Sequence, residues 1–290
     1  MVEIELSFQR YVRERRGAEE ARLREGAAYA YGADLKILRS LEKVRPVTLA
    51  VEAAVRLWKG MGEERLLGEA RRVTEESHPA LHRAAVSCAA TLHIPLPPLY
   101  VTPAPTARAV MTLGTNERPY VVLAERLLAE LSAEDLHHLV GGAFGHVHNH
   151  HTLFLTTLHF LREGGGRVIK WASAPASLAL RTWARRAQVT ADRAGLLCTR
   201  SLPTSIRAVL IETLGSRQRF DEISGGEYLD ALGESNQPLA RLGDLAAQPH
   251  LAGRLTALRA FSGTAYFRGA LGLEGGTTTH TCDAQIHGLL

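Results

Sequence analysis

Cysteine is scarce in this chain of 290 residues: Cys88, Cys198 and Cys282 lie far apart, with no C-x-x-C pair. That excludes a disulfide framework and a cysteine-bound zinc site. Long apolar runs are also missing, since charge interrupts each hydrophobic stretch well short of the roughly 18 residues a membrane span requires. No apolar run follows the basic residues near the N-terminus, so no signal peptide is expected. Aromatic residues make up only 6% of the chain. Its tryptophans, Trp58, Trp171 and Trp183, stand apart, which favours core or interface anchors over a stacking platform for bases. An excess of one charge is lacking too: 34 Lys and Arg face 30 Asp and Glu, for a formal +4. Stretches such as RERRGAEEARLREG interleave both signs, as a solvated, ion-paired helix face does. Neither a nucleic acid nor a membrane is expected as partner, and the expected compartment is the cytoplasm.

What is present is Ala, Leu and Arg at helical spacing, in a chain long enough to bury a large core. The expected fold class is α+β and mainly helical, with a small antiparallel sheet. Residues 1–63 read as an N-terminal helical segment wrapped on the rest, and 64–92 as a further helix. Proline makes IPLPPLYVTPAP (94–105) extended. ARAVMTL (107–113) and PYVVLA (119–124), joined by GTNER, read as a hairpin. A long helix starts at Ser132, which caps it with Asp135 at the matching box position, and REGGGR (162–167) ends it. More helices are expected over 177–200, 203–217, 225–235 and 249–262. Residues 263–290 read as a loose tail, with His280, Cys282 and His287 as remote metal candidates. The glycine-rich EGGGR and ISGGE do not sit between a strand and a helix, so they read as turns rather than phosphate loops.

HHLVGGAFGHVHNHH (137–151) carries the chemistry. A zinc protease helix needs H-E-x-x-H: two His one turn apart reach one metal, and the Glu between them activates the bound water. From LHIPLPPLYVTP through the hairpin, LSAEDL and GHVHNHH, the chain resembles the core of the HtpX-like zinc metalloproteases. QVTADRAG (188–195) resembles that family's E-x-x-A-D landmark, and QPHLAGRLTALRAF (248–261) its closing H-P-x-x-x-R helix. The resemblance covers about 64–262 and implies a gluzincin-like core and cleft. In its register, Gly142 stands at the first ligand, Ala143 at the general base, and Gln188 at the third ligand. His146 keeps the second ligand, Asp192 keeps the supporting acid, and His250 matches a position near the active site. The resemblance therefore argues against activity and implies no metal and no cofactor. His146 and His150 are also four apart, which leaves a rearranged ligand set as one alternative.

Enzymes of this family hold substrate as an extended strand on a sheet edge, by main-chain hydrogen bonds. The matching strand places peptide binding at Ala107, Arg108, Ala109, Val110, Met111, Thr112 and Leu113, over a groove lined by Gly142, Ala143, His146, Gln188, Asp192 and His250. The expectation is an inactive pseudo-protease that binds a peptide or unstructured polypeptide. One use would be presenting a precursor peptide to a tailoring enzyme in ribosomal peptide natural-product biosynthesis. The alternatives are an active zinc metallopeptidase using His146 and His150, and a structural partner whose cleft is plugged and whose Arg-rich N-terminal helices make the contacts.

Overall fold

A computed structural model describes residues 27–62, 68–103, 109–162, 173–222 and 249–289. The candidate positions Ala107 and Arg108, the glycine-rich stretches at 163–167 and 223–227, and the helix expected over 225–235 lie outside these residues.

The elements run α1 (Gly32–Leu41), α2 (Arg45–Leu57), β1 (Arg71–Arg72), α3 (Pro79–Leu92), β2 (Leu99–Thr102), β3 (Val110–Gly114), β4 (Pro119–Ala124) and the short α4 (Glu125–Leu128). They continue with α5 (Ala133–His148), α6 (Thr152–Arg162), the long α7 (Ser173–Thr199), α8 (Leu202–Leu214) and α9 (Arg217–Glu222). The last are α10 (Pro249–Ser262), α11 (Ala265–Ala270) and α12 (Thr279–Ile286). The chain is thus α+β and mainly helical. Among the described residues, no helix is long and apolar enough to cross a membrane.

The sheet is four-stranded in the order β1-β2-β4-β3, and it is mixed rather than antiparallel. β1 pairs antiparallel with β2, and β3 with β4, but β2 and β4 run parallel. The hairpin docks on β2 through its second strand, so β3 is left on the outside edge. Residues 70–78, expected as helix, instead carry β1 and a turn in which Thr74 and Ser77 exchange main-chain and hydroxyl hydrogen bonds. Pro79 then occupies the first turn of α3, where its missing N–H costs nothing.

The helix expected from Ser132 to 161 is two helices. Its start is as predicted: the Ser132 side chain accepts from the Asp135 N–H, and the Asp135 carboxylate accepts from the Ser132 N–H. It ends at His148 in a Schellman motif. The His151 N–H reaches the His146 carbonyl (3.0 Å), the His150 N–H reaches that of Val147 (3.1 Å), and His150 takes the left-handed conformation at φ 57°. The Asn149 amide reinforces the stop by donating to the Gly145 carbonyl at 2.8 Å.

The segment 263–289 is no loose tail. Cys282 and Ile286 of α12 are buried, and the Asp283 carboxylate pairs with buried Arg193 at 2.6 Å and accepts from the Gly32 N–H at 2.8 Å. The Arg193 guanidinium also stacks on Phe261 at 4.9 Å. His280, Cys282 and His287 hold no common site: Cys282 is buried, and the His287 ring faces the Tyr31 hydroxyl.

Two cores result. The larger gathers α3, the sheet, α5, α8, α10 and the second half of α7. The smaller gathers α1, α2, α6 and the first half of α7 around Trp183. Glycines let α5 and α7 approach closely. A Cβ on Gly145 would lie 2.5 Å from the Ala194 Cβ, and one on Gly195 only 2.6 Å from the His138 carbonyl oxygen. Gly195→Ala is therefore expected to destabilise the protein by about 2 kcal/mol despite alanine's better helix propensity, as overpacking does. Urea unfolding of the variant checks this.

Candidate functional site

A cleft of about 590 Å³ opens beside β3, with walls from α5, α6, α7, α8 and α10. The described candidates all line it: Ala109, Val110, Met111, Thr112 and Leu113 on the strand side, and Gly142, Ala143, His146, Gln188, Asp192 and His250 on the helical side.

The register of β3 decides which of its main-chain groups face the cleft. The Ala124 N–H bonds the Ala109 carbonyl and the Thr115 N–H bonds that of Arg118, so odd-numbered residues exchange hydrogen bonds with β4. Even-numbered residues turn theirs outward. Gly114 shows this directly, since both its N–H and its carbonyl bond the Thr156 hydroxyl of α6, at 2.9 and 3.0 Å. Val110 and Thr112 therefore direct their main-chain donors and acceptors away from β4; Val110 is partly buried and Thr112 buried. No strand among the described residues covers that edge. The Thr112 side chain turns to α5 and donates to the Ala143 carbonyl at 3.4 Å. Met111 and Leu113 point the other way, into a cluster with Trp58.

On the helical side the polar groups are tied to one another. Arg254 of α10 grips Asp192 with two hydrogen bonds, both 2.8 Å, and its Nη2 lies 3.4 Å from Glu212. The Gln188 amide donates to the same carboxylate at 3.1 Å. Burial alone would raise the Asp192 carboxyl, but the Arg254 cation and these hydrogen bonds hold it below the usual carboxylate range. His138 lies 3.9 Å from Asp192, fully buried, and among the described residues its Nδ1 has no hydrogen-bond partner. Burial pushes its imidazole down to about 4, against the partial pull of Asp192.

His146 belongs to a different chain of contacts. Its Nδ1 lies 3.0 Å from Nδ1 of His151. The other ring nitrogen of His151 lies 3.2 Å from Asp34, an ionic contact bent away from ideal hydrogen-bond geometry. Trp183 Nε1 and the Thr190 hydroxyl also donate to Asp34, at 2.8 and 2.6 Å. Burial favours neutral Asp34, but His151, Thr190 and Trp183 offset it and hold the carboxyl below its ordinary value. The two Nδ1 atoms share one hydrogen bond, whose donor depends on the ring tautomers. The partner of His146 is thus His151 and not His150, which lies beyond the helix end. The alternative His146/His150 ligand pair has no common helix face to stand on.

The donor set does not fit zinc. Gly142 and Ala143 supply no donor atom, Gln188 offers only an amide, and both Asp192 oxygens are taken by a guanidinium. A Cβ at Gly142 would already lie 3.3 Å from the Ala191 carbonyl oxygen. Among the described residues, no group of three His, Cys, Asp or Glu is placed to hold a metal. Three residues that shape the site had no assigned role in the sequence reading. Arg254 and His151 fell inside quoted motifs, whereas Asp34 left no local signal at all.

His138 predicts a pH effect. Its folded value lies below its ordinary 6.5, so the unfolded chain takes up a proton first as pH falls. Stability is full above 6.5 and is expected to drop by about 3 kcal/mol as pH falls to 4. Urea unfolding across that window checks the slope, which His138→Leu should flatten.

No protein-family model matches the chain, and no solved structure matches it. Plastoglobule-localized metallopeptidase 48 of the Arabidopsis thaliana chloroplast is 28% identical to it over 152 residues, 51% of this chain and 44% of that protein. The chain therefore spans less than half the length of this relative, and over about half of its own 290 residues it is distantly related to a metallopeptidase.

Proposed function

We propose that the chain is a catalytically inactive member of the HtpX-like metallopeptidases that binds an extended peptide as an added strand on β3. One observation carries the reading: the main-chain groups of Val110 and Thr112 face the cleft, beside positions that lack the zinc donors. Strand addition needs outward N–H and carbonyl groups and a groove for alternate side chains, and it needs no metal. The distant metallopeptidase relationship supports a groove of this descent. A groove that holds a polypeptide without cutting it suits presentation of a precursor peptide to a separate tailoring enzyme in the cytoplasm.

Val110→Pro tests the binding. Its N–H faces away from β4, so proline removes an edge donor and spares the ladder, as edge strands tolerate. Calorimetric titration with unstructured peptides should show binding to the wild type and a loss of affinity on the order of tenfold or more in the variant, through the lost hydrogen bond and the clash of the ring. The thermal midpoint should barely move. Binding that ignores the proline, or that no peptide displays, refutes the peptide groove. Elemental analysis with a casein-cleavage assay tests the inactivity: stoichiometric zinc together with cleavage would overturn it.

A further inference from the structure

The smaller core carries an uneven surface. Over residues 32–62, 152–162 and 173–187 stand ten Lys and Arg against three Asp and Glu, and one of these acids, Asp34, is buried against His151. The whole chain holds 34 cations and 30 carboxylates, so the remainder carries more acid than base. Nine of the ten cations are exposed, and the exposed acids are Glu42 and Glu52. None of the nine forms an ion pair among the described residues.

The cations form outer stripes. Lys36 and Arg39 lie one turn apart on α1. Arg45 and Arg56 bracket exposed Leu49 on α2, and Leu178, Arg181 and Arg185 follow one another at helical spacing on α7. Arg162 at the end of α6 stands close to Arg181, and burial together with that neighbouring cation pushes its guanidinium down from the ordinary value. Like charges held together oppose folding, and among the described residues the exposed acids of this lobe are Glu42 and Glu52 alone. Aliphatic side chains stand among them: Leu178 is 69% exposed, Leu49 46% and Val44 39%.

We infer that this lobe docks on an anionic lipid surface, with its cations against headgroup phosphates and Leu178 and Leu49 entering the acyl boundary. Cations interspersed with exposed aliphatics suit a bilayer interface, whereas a nucleic acid has nothing to offer Leu178. The attachment is peripheral, because no described helix can span a bilayer. It departs from the expectation of no membrane partner; of its cations, Arg162 also lines the cleft, whereas the residues varied below do not.

Flotation with vesicles tests the inference, using phosphatidylcholine alone and phosphatidylcholine mixed with phosphatidylglycerol. Wild-type protein should float only with the anionic vesicles, and less as salt rises. Arg181→Glu with Arg185→Glu should weaken binding on the order of tenfold or more. Leu178→Ser should weaken it without changing the salt dependence. Lys36→Glu with Arg39→Glu supplies a second charge reversal on another helix, should the first pair fail to give the wild-type circular dichroism. Absence of flotation with anionic vesicles would overturn the inference, as would equal binding to neutral ones. Double-stranded DNA bound as tightly as the vesicles, with Leu178→Ser inert in both assays, would also overturn it and make the lobe a nucleic-acid surface.

Discussion

Where α5 crosses α7, glycine replaces side chain on both helices, and the backbones come within reach of a single methyl group. Everything at the cleft inherits its position from that crossing. Gly142 and His146 lie on one helix, Gln188 and Asp192 on the other, and only the close approach turns these two short stretches into one wall. β3 is tied to the same crossing through Thr112 and the Ala143 carbonyl. Packing this tight has few alternative arrangements, which fixes the shape of the cleft wall.

The electrostatics follow. A carboxylate buried as Asp192 is needs a cation, and α10 delivers one in Arg254, in the planar two-point geometry that suits a carboxylate. Glu212 shares the guanidinium. Asp34 solves the same problem with hydrogen-bond donors and a histidine rather than an arginine. Buried acid is thus satisfied by groups of the chain itself, at the cleft in Asp192 and behind it in Asp34.

Much of the architecture was legible because it is local. The capping box at Ser132, the hairpin about residues 115–118 and proline's exclusion of helix over 94–98 each depend on residues a few positions apart. Errors arose where a local pattern had two outcomes. HVHNHH continues a helical pattern, yet a histidine can adopt the left-handed conformation and end the helix when its neighbour His151 is drawn toward Asp34. The stretch 263–289 is rich in glycine and threonine, and it is held as ordered helices by the Thr264 and Thr278 caps, buried Phe267, Cys282 and Ile286, and the Arg193–Asp283 pair. Of the candidate site, the resemblance located the strand and the helical wall, but not the contacts that hold them.

The amino-acid sequence by itself determined the helical periodicity, the hairpin, the caps, and the absence of zinc donors at Gly142 and Ala143, since each of these is written in residue type at short spacing. Only the tertiary structure decided that β3 is an outer edge, that His146 meets His151 rather than serving beside His150, and that cations gather on one lobe of a nearly neutral chain. The cationic lobe and the Asp34–His151 contact join residues more than a hundred positions apart, and contacts across such distances leave no periodic trace along the chain.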